Sequence, residues 1–167
     1  MLDTQGRLPS ATKNYLQRGS ACNQHPEDMR SEVEPTVTQV GLAVIFRDDE
    51  VLLARRHRDA PLGGFWEFPG GKVWPGESVP TCVEREVGEE VGVQVRAEPS
   101  FLTVEHQYAH ARVRLDCCRC TLIAGEPQAL ECAEVRWVPL VELAQYRFPA
   151  ANASLLTRLA ELARSAR

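Results

Sequence analysis

A chain of 167 residues with 44% apolar composition is long and apolar enough to bury one core of ordinary size, which excludes disorder throughout. Its 19 Lys and Arg against 23 Asp and Glu leave a formal charge of −4, which excludes general attraction to nucleic acid or to an anionic membrane surface. No stretch approaches the roughly 20 apolar residues of a spanning helix, and MLDTQGRLPSATK has no signal-like apolar core, so a cytoplasmic protein is expected.

Residues 1–35 are polar, are broken by Pro9, Pro26 and Pro35, and show no hydrophobic period, so they read as a tail preceding a domain over 36–167. Met29 stands shortly before the first apolar strand and is a second candidate start. From Thr36, Val40, Leu42, Val44 and Phe46 alternate, and Val51-Leu52-Leu53 follows the turn Asp48-Asp49-Glu50, predicting a β-hairpin. Phe65-Trp66-Glu67-Phe68 comes next, and Pro69-Gly70-Gly71 predicts an irregular loop. A helix is expected from the N-cap Ser78, with Pro80 in its first turn, to Gly92. Strands are predicted near 93–108, 111–123 and 134–138, then a helix over 153–166 with a stripe of Leu155, Leu156, Leu159, Leu162 and Ala163. Strands with two helices argue for an α/β or α+β fold, a mixed sheet with helices on its faces.

The six cysteines do not read as a disulfide framework in a chain this rich in core. Cys117 and Cys120 have metal-like spacing, but they lie in the strand-like run RLDCCRCTLI with no second close pair, which argues against zinc.

Chemistry concentrates in GKVWPGESVPTCVEREVGEEVGV, residues 71–93. Glu86, Glu89 and Glu90 fall within a sector of about 100° of the helix, while Val83, Val87 and Val91 occupy an adjacent sector that can face a core. Carboxylates so close repel one another unless a cation sits among them, and a hard divalent ion such as Mg²⁺ suits oxygen donors and substrate phosphates. Gly70 and Gly71 allow close backbone approach, and Lys72 and Arg85 add positive charge. Three glutamates alone would more often mark a solvated acidic face.

The wider pattern reverses that weighting. Gly71, Glu77, Arg85, Glu86, Val87, Glu89, Glu90, Gly92 and Val93 match the Nudix box at every position, a coincidence on the order of 10⁻⁹ to 10⁻⁸ per starting point. The chain thus resembles the Nudix hydrolases, which implies the Nudix fold, a mixed β-sheet sandwiched between helices, and Mg²⁺-dependent hydrolysis of a nucleoside diphosphate linked to another group, with Mn²⁺ as a substitute. By the box, Glu86, Glu89 and Glu90 correspond to metal ligands or the base, Gly70 to the residue whose carbonyl joins them, and Glu77 and Arg85 to a bracing salt bridge. A further metal carboxylate matches Glu131 in GEPQALECAEVRWVPL, with Glu134 as the alternative.

Outside the box, Leu52-Leu53-Ala54-Arg55-Arg56, Trp66-Glu67-Phe68-Pro69-Gly70-Gly71 and Phe148-Pro149-Ala150-Ala151-Asn152 resemble MutT-type enzymes, which hydrolyse 8-oxo-dGTP to the monophosphate and pyrophosphate. The resemblance covers about residues 37–164. It implies that Asn152 reads the purine edge, that the Phe68 main chain meets the base, and that Arg56 lines the nucleotide site, where the charge of Lys72 beside the glycine pair also suits substrate phosphate. Asn152 is equally a plausible helix cap, Phe68 a core aromatic and Arg56 a solvated strand-end charge. His106-Gln107-Tyr108-Ala109-His110-Ala111-Arg112 departs from the prototype, and its histidines either contact nucleotide or lie on a sheet face. Relatives with the same outline prefer CTP, 5-methyl-dCTP or ADP-ribose, and some Nudix domains sense nucleotides without hydrolysis. The expected partner is a nucleotide, with no nucleic acid or membrane, for a monomer or homodimer.

Overall fold

The computed structural model of the chain describes residues 37–109 and 111–165. The predicted tail, Met29 and His110 lie outside them, as does Ala166 at the end of the second predicted helix.

The chain forms strands β1 (Val37–Arg47), β2 (Glu50–Arg55), β3 (Trp66–Glu67) and β4 (Gly70–Lys72), helix α1 (Val79–Val91), strands β5 (Gln94–Tyr108), β6 (Ala111–Ala124) and β7 (Glu134–Pro139), and helix α2 (Ala153–Ser165). Two 3-10 turns, Leu140–Gln145 and Ala150–Asn152, connect β7 to α2. The hairpin forms as the alternation predicts, with Arg47 opposite Glu50 and Asp48 in the left-handed region at φ +54°.

The sheet is mixed. β1 runs parallel to β6 from Val37 opposite Arg112 to Ile45 opposite Cys120, whereas every other pairing is antiparallel. Strand β1 splits its other edge between β4, at Val40–Leu42, and β2, at Phe46 and Arg47. The β5–β6 register shifts between Ala97 and Ser100, where Pro99 has no N–H to give to the ladder.

Gly70–Lys72 corrects the irregular loop expected from Pro69-Gly70-Gly71: the segment is a short strand on β1. A Cβ on Gly70 would strike the Gly41 carbonyl, so this pairing needs glycine for close approach, a use of Pro-Gly-Gly that turn chemistry does not reveal.

Period-two alternation along β1 sends Leu42 and Val44 to one face and Ala43 and Ile45 to the other. The first face packs with Leu155 and Leu159 of α2 and Leu143, the second with Val83, Val87 and Val91 of α1. The sheet is thus sandwiched between helices. The α2 stripe is buried only over its first turns, since Leu162 is exposed. Cys117 and Cys120 belong to opposite cores and cannot share an ion. Burial pushes both thiols up to about 12, which keeps them protonated.

Candidate active site

Helix α1 is set by local chemistry. The Ser78 hydroxyl accepts from the Thr81 N–H at 3.3 Å, and Gly92, at φ +70°, closes the helix by donating its N–H to the Gly88 carbonyl. With its valines in the core, the helix turns its acidic side toward β4, where the loop is tied to the sheet by Val73 N–H to Gln39 O at 3.1 Å.

Arg85 organises this side. Its Nε and Nη2 donate to the two Glu77 carboxylate oxygens at 2.9 and 3.1 Å, its Nη1 to Glu86 at 2.6 Å and Glu89 at 3.2 Å, and its Nη2 to the Lys72 carbonyl at 3.3 Å. The open face of the guanidinium lies 3.7 Å from the centre of the exposed Trp74 ring. Hydrogen bonds from Arg85, then from the Trp74 N–H, hold the Glu77 carboxyl below the usual range. Cys82, in the first turns of α1, points its thiol at the Gly71 and Lys72 carbonyls, 3.5 and 3.4 Å away.

Glu90 lies deeper. It accepts from the Gly70 N–H at 2.9 Å, yet burial pushes its carboxyl up to about 7. The Gly70 bond opposes that rise, and the charges of Glu67, Glu86 and Glu131 reinforce it. Arg56, His57, Ala60, Glu67, Glu90, Glu131 and Cys132 line a cleft of about 120 Å³. Glu131 donates its backbone N–H to the Glu90 carbonyl at 3.2 Å. Glu134 is turned away, paired with Arg55 at 3.4 Å and with Arg136, and does not line the cleft.

Among the described residues, no three Asp, Glu, His or Cys side chains already form an ion cage. Arg85 holds Glu86 and Glu89, and the Gly70 N–H holds Glu90. The donor set is nevertheless of hard oxygens, and Mg²⁺ is usually bound through one or two carboxylates, waters and substrate phosphates instead of an all-protein cage. A glycine cradle adds to the fit: a Cβ on Gly71 would fall inside the Glu86 carboxylate.

A second cavity, about 270 Å³, adjoins the cleft. Val40, Leu42, Leu62, Tyr108, Val113 and Leu115 give it apolar lining, Asn152 a neutral polar group, and Arg56, Glu67, Gly70, Gly71 and Lys72 charged and backbone polar groups. Asn152 is 5% exposed and sits within the 3-10 turn that runs directly into α2. An N-cap residue is non-helical and bonds the first turn through its side chain, whereas the Asn152 amide makes no such bond among the described residues.

Phe68, expected to meet the base through its main chain, is not among the residues that line either cavity. Its ring is buried and stacked on Phe148 at 5.6 Å between centroids. Arg56 donates to the Pro61 carbonyl at 2.8 Å and to Glu67 at 2.6 Å, so it is not a free strand-end charge. His106 meets Tyr108 edge to face at 4.5 Å and does not line this second cavity. Glu67 was not singled out by sequence reasoning. Its signal was its place between Trp66 and Phe68: where both aromatics are buried, the residue between them faces elsewhere.

The pattern of the NUDIX domain family matches residues 41–158. The chain is 31% identical over 125 residues to an 8-oxo-dGTP diphosphatase of Escherichia coli K12, covering 74% of this chain and 97% of that protein. It is 32% identical over 118 residues to a CTP pyrophosphohydrolase of the same organism, covering 71% and 87%. Among solved structures, a MutT protein from Methanosarcina mazei Go1 superposes with TM-score 0.69 at 27% identity over 77% of this chain and 96% of that one. The E. coli ORF135 protein superposes with TM-score 0.65 at 30% identity over 80% and 94%. The box helix, the split sheet and these matches agree, and the chain belongs to the Nudix hydrolases, which act on phosphoanhydride bonds and generally use divalent metal ions.

Proposed function

We propose that the protein is a nucleoside triphosphate pyrophosphohydrolase of the MutT type, converting 8-oxo-dGTP or a related noncanonical triphosphate to the monophosphate and pyrophosphate. The observation that carries this reading is one cavity of about 270 Å³ whose lining joins apolar side chains and Asn152 to the polar group Gly70, Gly71 and Lys72. An amide has both donor and acceptor, as a purine edge requires, and the apolar walls suit a base and sugar. Identity of 31% to an 8-oxo-dGTP diphosphatase over nearly all of that protein supports the same substrate class.

Glu86, Glu89 and Glu90, with the Gly70 carbonyl and Glu131, would hold Mg²⁺, for which Mn²⁺ can substitute. The ion, when bound, neutralises charge on the phosphoryl oxygens. Lys72 and Arg56 bind the phosphates electrostatically, and one of the box glutamates orients or deprotonates the attacking water. Attack at the β-phosphorus breaks its bridge to the α-phosphate, releasing the monophosphate and pyrophosphate. Such an enzyme would work on the cytoplasmic nucleotide pool, limiting damage at DNA replication, and needs no nucleic acid or membrane partner.

The CTP pyrophosphohydrolase at 32% identity supports a second reading in which the cavity takes a pyrimidine. Comparing kcat/KM over 8-oxo-dGTP, dGTP, CTP, 5-methyl-dCTP and ADP-ribose decides the matter. Preference for 8-oxo-dGTP with pyrophosphate release is expected, and a higher value for CTP or ADP-ribose would overturn it. The variant Glu86→Gln conserves shape but removes charge and should lose most turnover. No turnover by the wild-type protein across the panel would indicate a nucleotide sensor.

A further inference from the structure

Arg56 and Glu67 are the two residues that line both cavities, the larger one that Asn152 also lines and the smaller cleft lined by Glu90 and Glu131. They form the partition between them. If, on the function proposed above, the base lies in the larger cavity and the polyphosphate reaches toward the cleft of Glu90 and Glu131, the phosphate nearest the nucleoside crosses this partition.

A carboxylate at that crossing would by itself repel a phosphate, whereas a guanidinium would attract it. The pair is therefore useful only if the guanidinium is presented and the carboxylate is occupied. The geometry has this form: Glu67 Oε2 takes the Arg56 Nη1 at 2.6 Å, and the Pro61 carbonyl takes Nε at 2.8 Å. These bonds fix the guanidinium plane, and among the described residues no hydrogen bond engages Nη2. Arg56 is the more exposed of the two, 31% against 20% for Glu67, and its unengaged Nη2 leaves it a donor for a ligand. An unheld arginine would keep its rotamer freedom and lose it only on binding substrate, at a cost in affinity.

We infer that Glu67 is a positioning residue, which aims the Arg56 guanidinium at the substrate phosphate nearest the nucleoside. Glu67 acts through Arg56 and not on the metal cleft. It does so although it faces Glu90 across that cleft.

A double-mutant cycle separates these roles. Glu67→Gln, Arg56→Ala and the double variant are compared for kcat and KM, and for the Kd of an α,β-methylene nucleoside triphosphate, which reports binding without turnover. Glu67→Gln should raise KM and that Kd about tenfold, the size expected for a charged hydrogen bond, and change kcat less. In the Arg56→Ala background the same substitution should change Kd less than about twofold. Glu67→Asp, which keeps the charge on a shorter arm, should recover part of the affinity. Equal losses in both backgrounds overturn the inference. So does an unchanged analogue Kd together with a raised Mg²⁺ requirement, which would make Glu67 a group of the metal cleft. If Glu67→Gln melts far below the wild-type protein, Glu67→Asp and Arg56→Lys carry the cycle. Failure of the functional reading is seen separately, as wild-type protein that neither binds the analogue nor releases pyrophosphate.

Discussion

The Glu86 carboxylate lies where a side chain on Gly71 would begin, so the two residues interlock between β4 and α1. The loop and helix can approach only because position 71 has no Cβ. Gly71→Ala must therefore displace either the Glu86 carboxylate or the strand pairing of Gly71 with Gly41. Activity is expected to fall by at least about a hundredfold, the scale of a misplacement of about 1 Å at a catalytic group. The melting temperature should change little if the Glu86 carboxylate is what moves, because the strand pairing is then kept. Steady-state kinetics beside a thermal melt checks both, and an active Gly71→Ala enzyme would show that Glu86 is free to move without loss.

Trp74 is 56% exposed, yet its ring covers the Arg85 guanidinium at 3.7 Å. An exposed cation–π contact contributes about 0.5–1 kcal/mol. Trp74→Ala should thus loosen Arg85 and, through it, Glu86 and Glu89, raising the Mg²⁺ concentration for half-maximal activity about two- to fivefold. Trp74→Phe should restore most of the difference, and Trp74→Leu, apolar without a ring face, should not. Equal behaviour of Phe and Leu variants would reduce the contact to simple coverage.

The Glu90 carboxyl, at about 7, binds its proton more tightly than in the unfolded chain, where 4.5 applies. The native state therefore holds the extra proton between these values, and stability without metal should fall as pH rises from about 4.5 to about 7. A divalent ion competes with that proton. Its stabilisation of the fold should grow with pH over the same window and level off above it. Melting the protein with and without Mg²⁺ at a series of pH values reads both trends, and Glu90→Gln should flatten the metal-free one.

Asn152 is buried in the lining of the apolar cavity with its amide unclaimed by the helix it precedes. Asn152→Ala should raise KM for 8-oxo-dGTP more than for dGTP, with the melting temperature nearly unchanged because no capping bond is lost. Equal effects on both nucleotides would remove its role in telling the bases apart.

Helix α1 was legible in the sequence because everything that defines it is local. Ser78 caps it, Gly92 ends it, and the three- and four-residue spacings that bury Val83, Val87 and Val91 also collect Glu86, Glu89 and Glu90 beside Arg85. The strands after it were also legible, to within a residue at each end, although β6 buries Leu115, Asp116, Cys117 and Cys118 in succession and so breaks the period of two. Asn152 was not resolved this way: a cap and a cavity residue look alike until the 3-10 turn is seen to run into α2.

What the sequence by itself determined was the family chemistry: one capped helix with acidic residues in register, next to a glycine pair. Only the tertiary structure decided that Gly70–Lys72 is a strand, that Glu131 and not Glu134 shares a cleft with Glu90, and that Glu67 backs Arg56 between two cavities. The physical reason is separation along the chain. Helix spacing and caps act over three or four residues, whereas these contacts join β2, β3, α1 and the loop before β7, and arise only when the two cores close on the sheet.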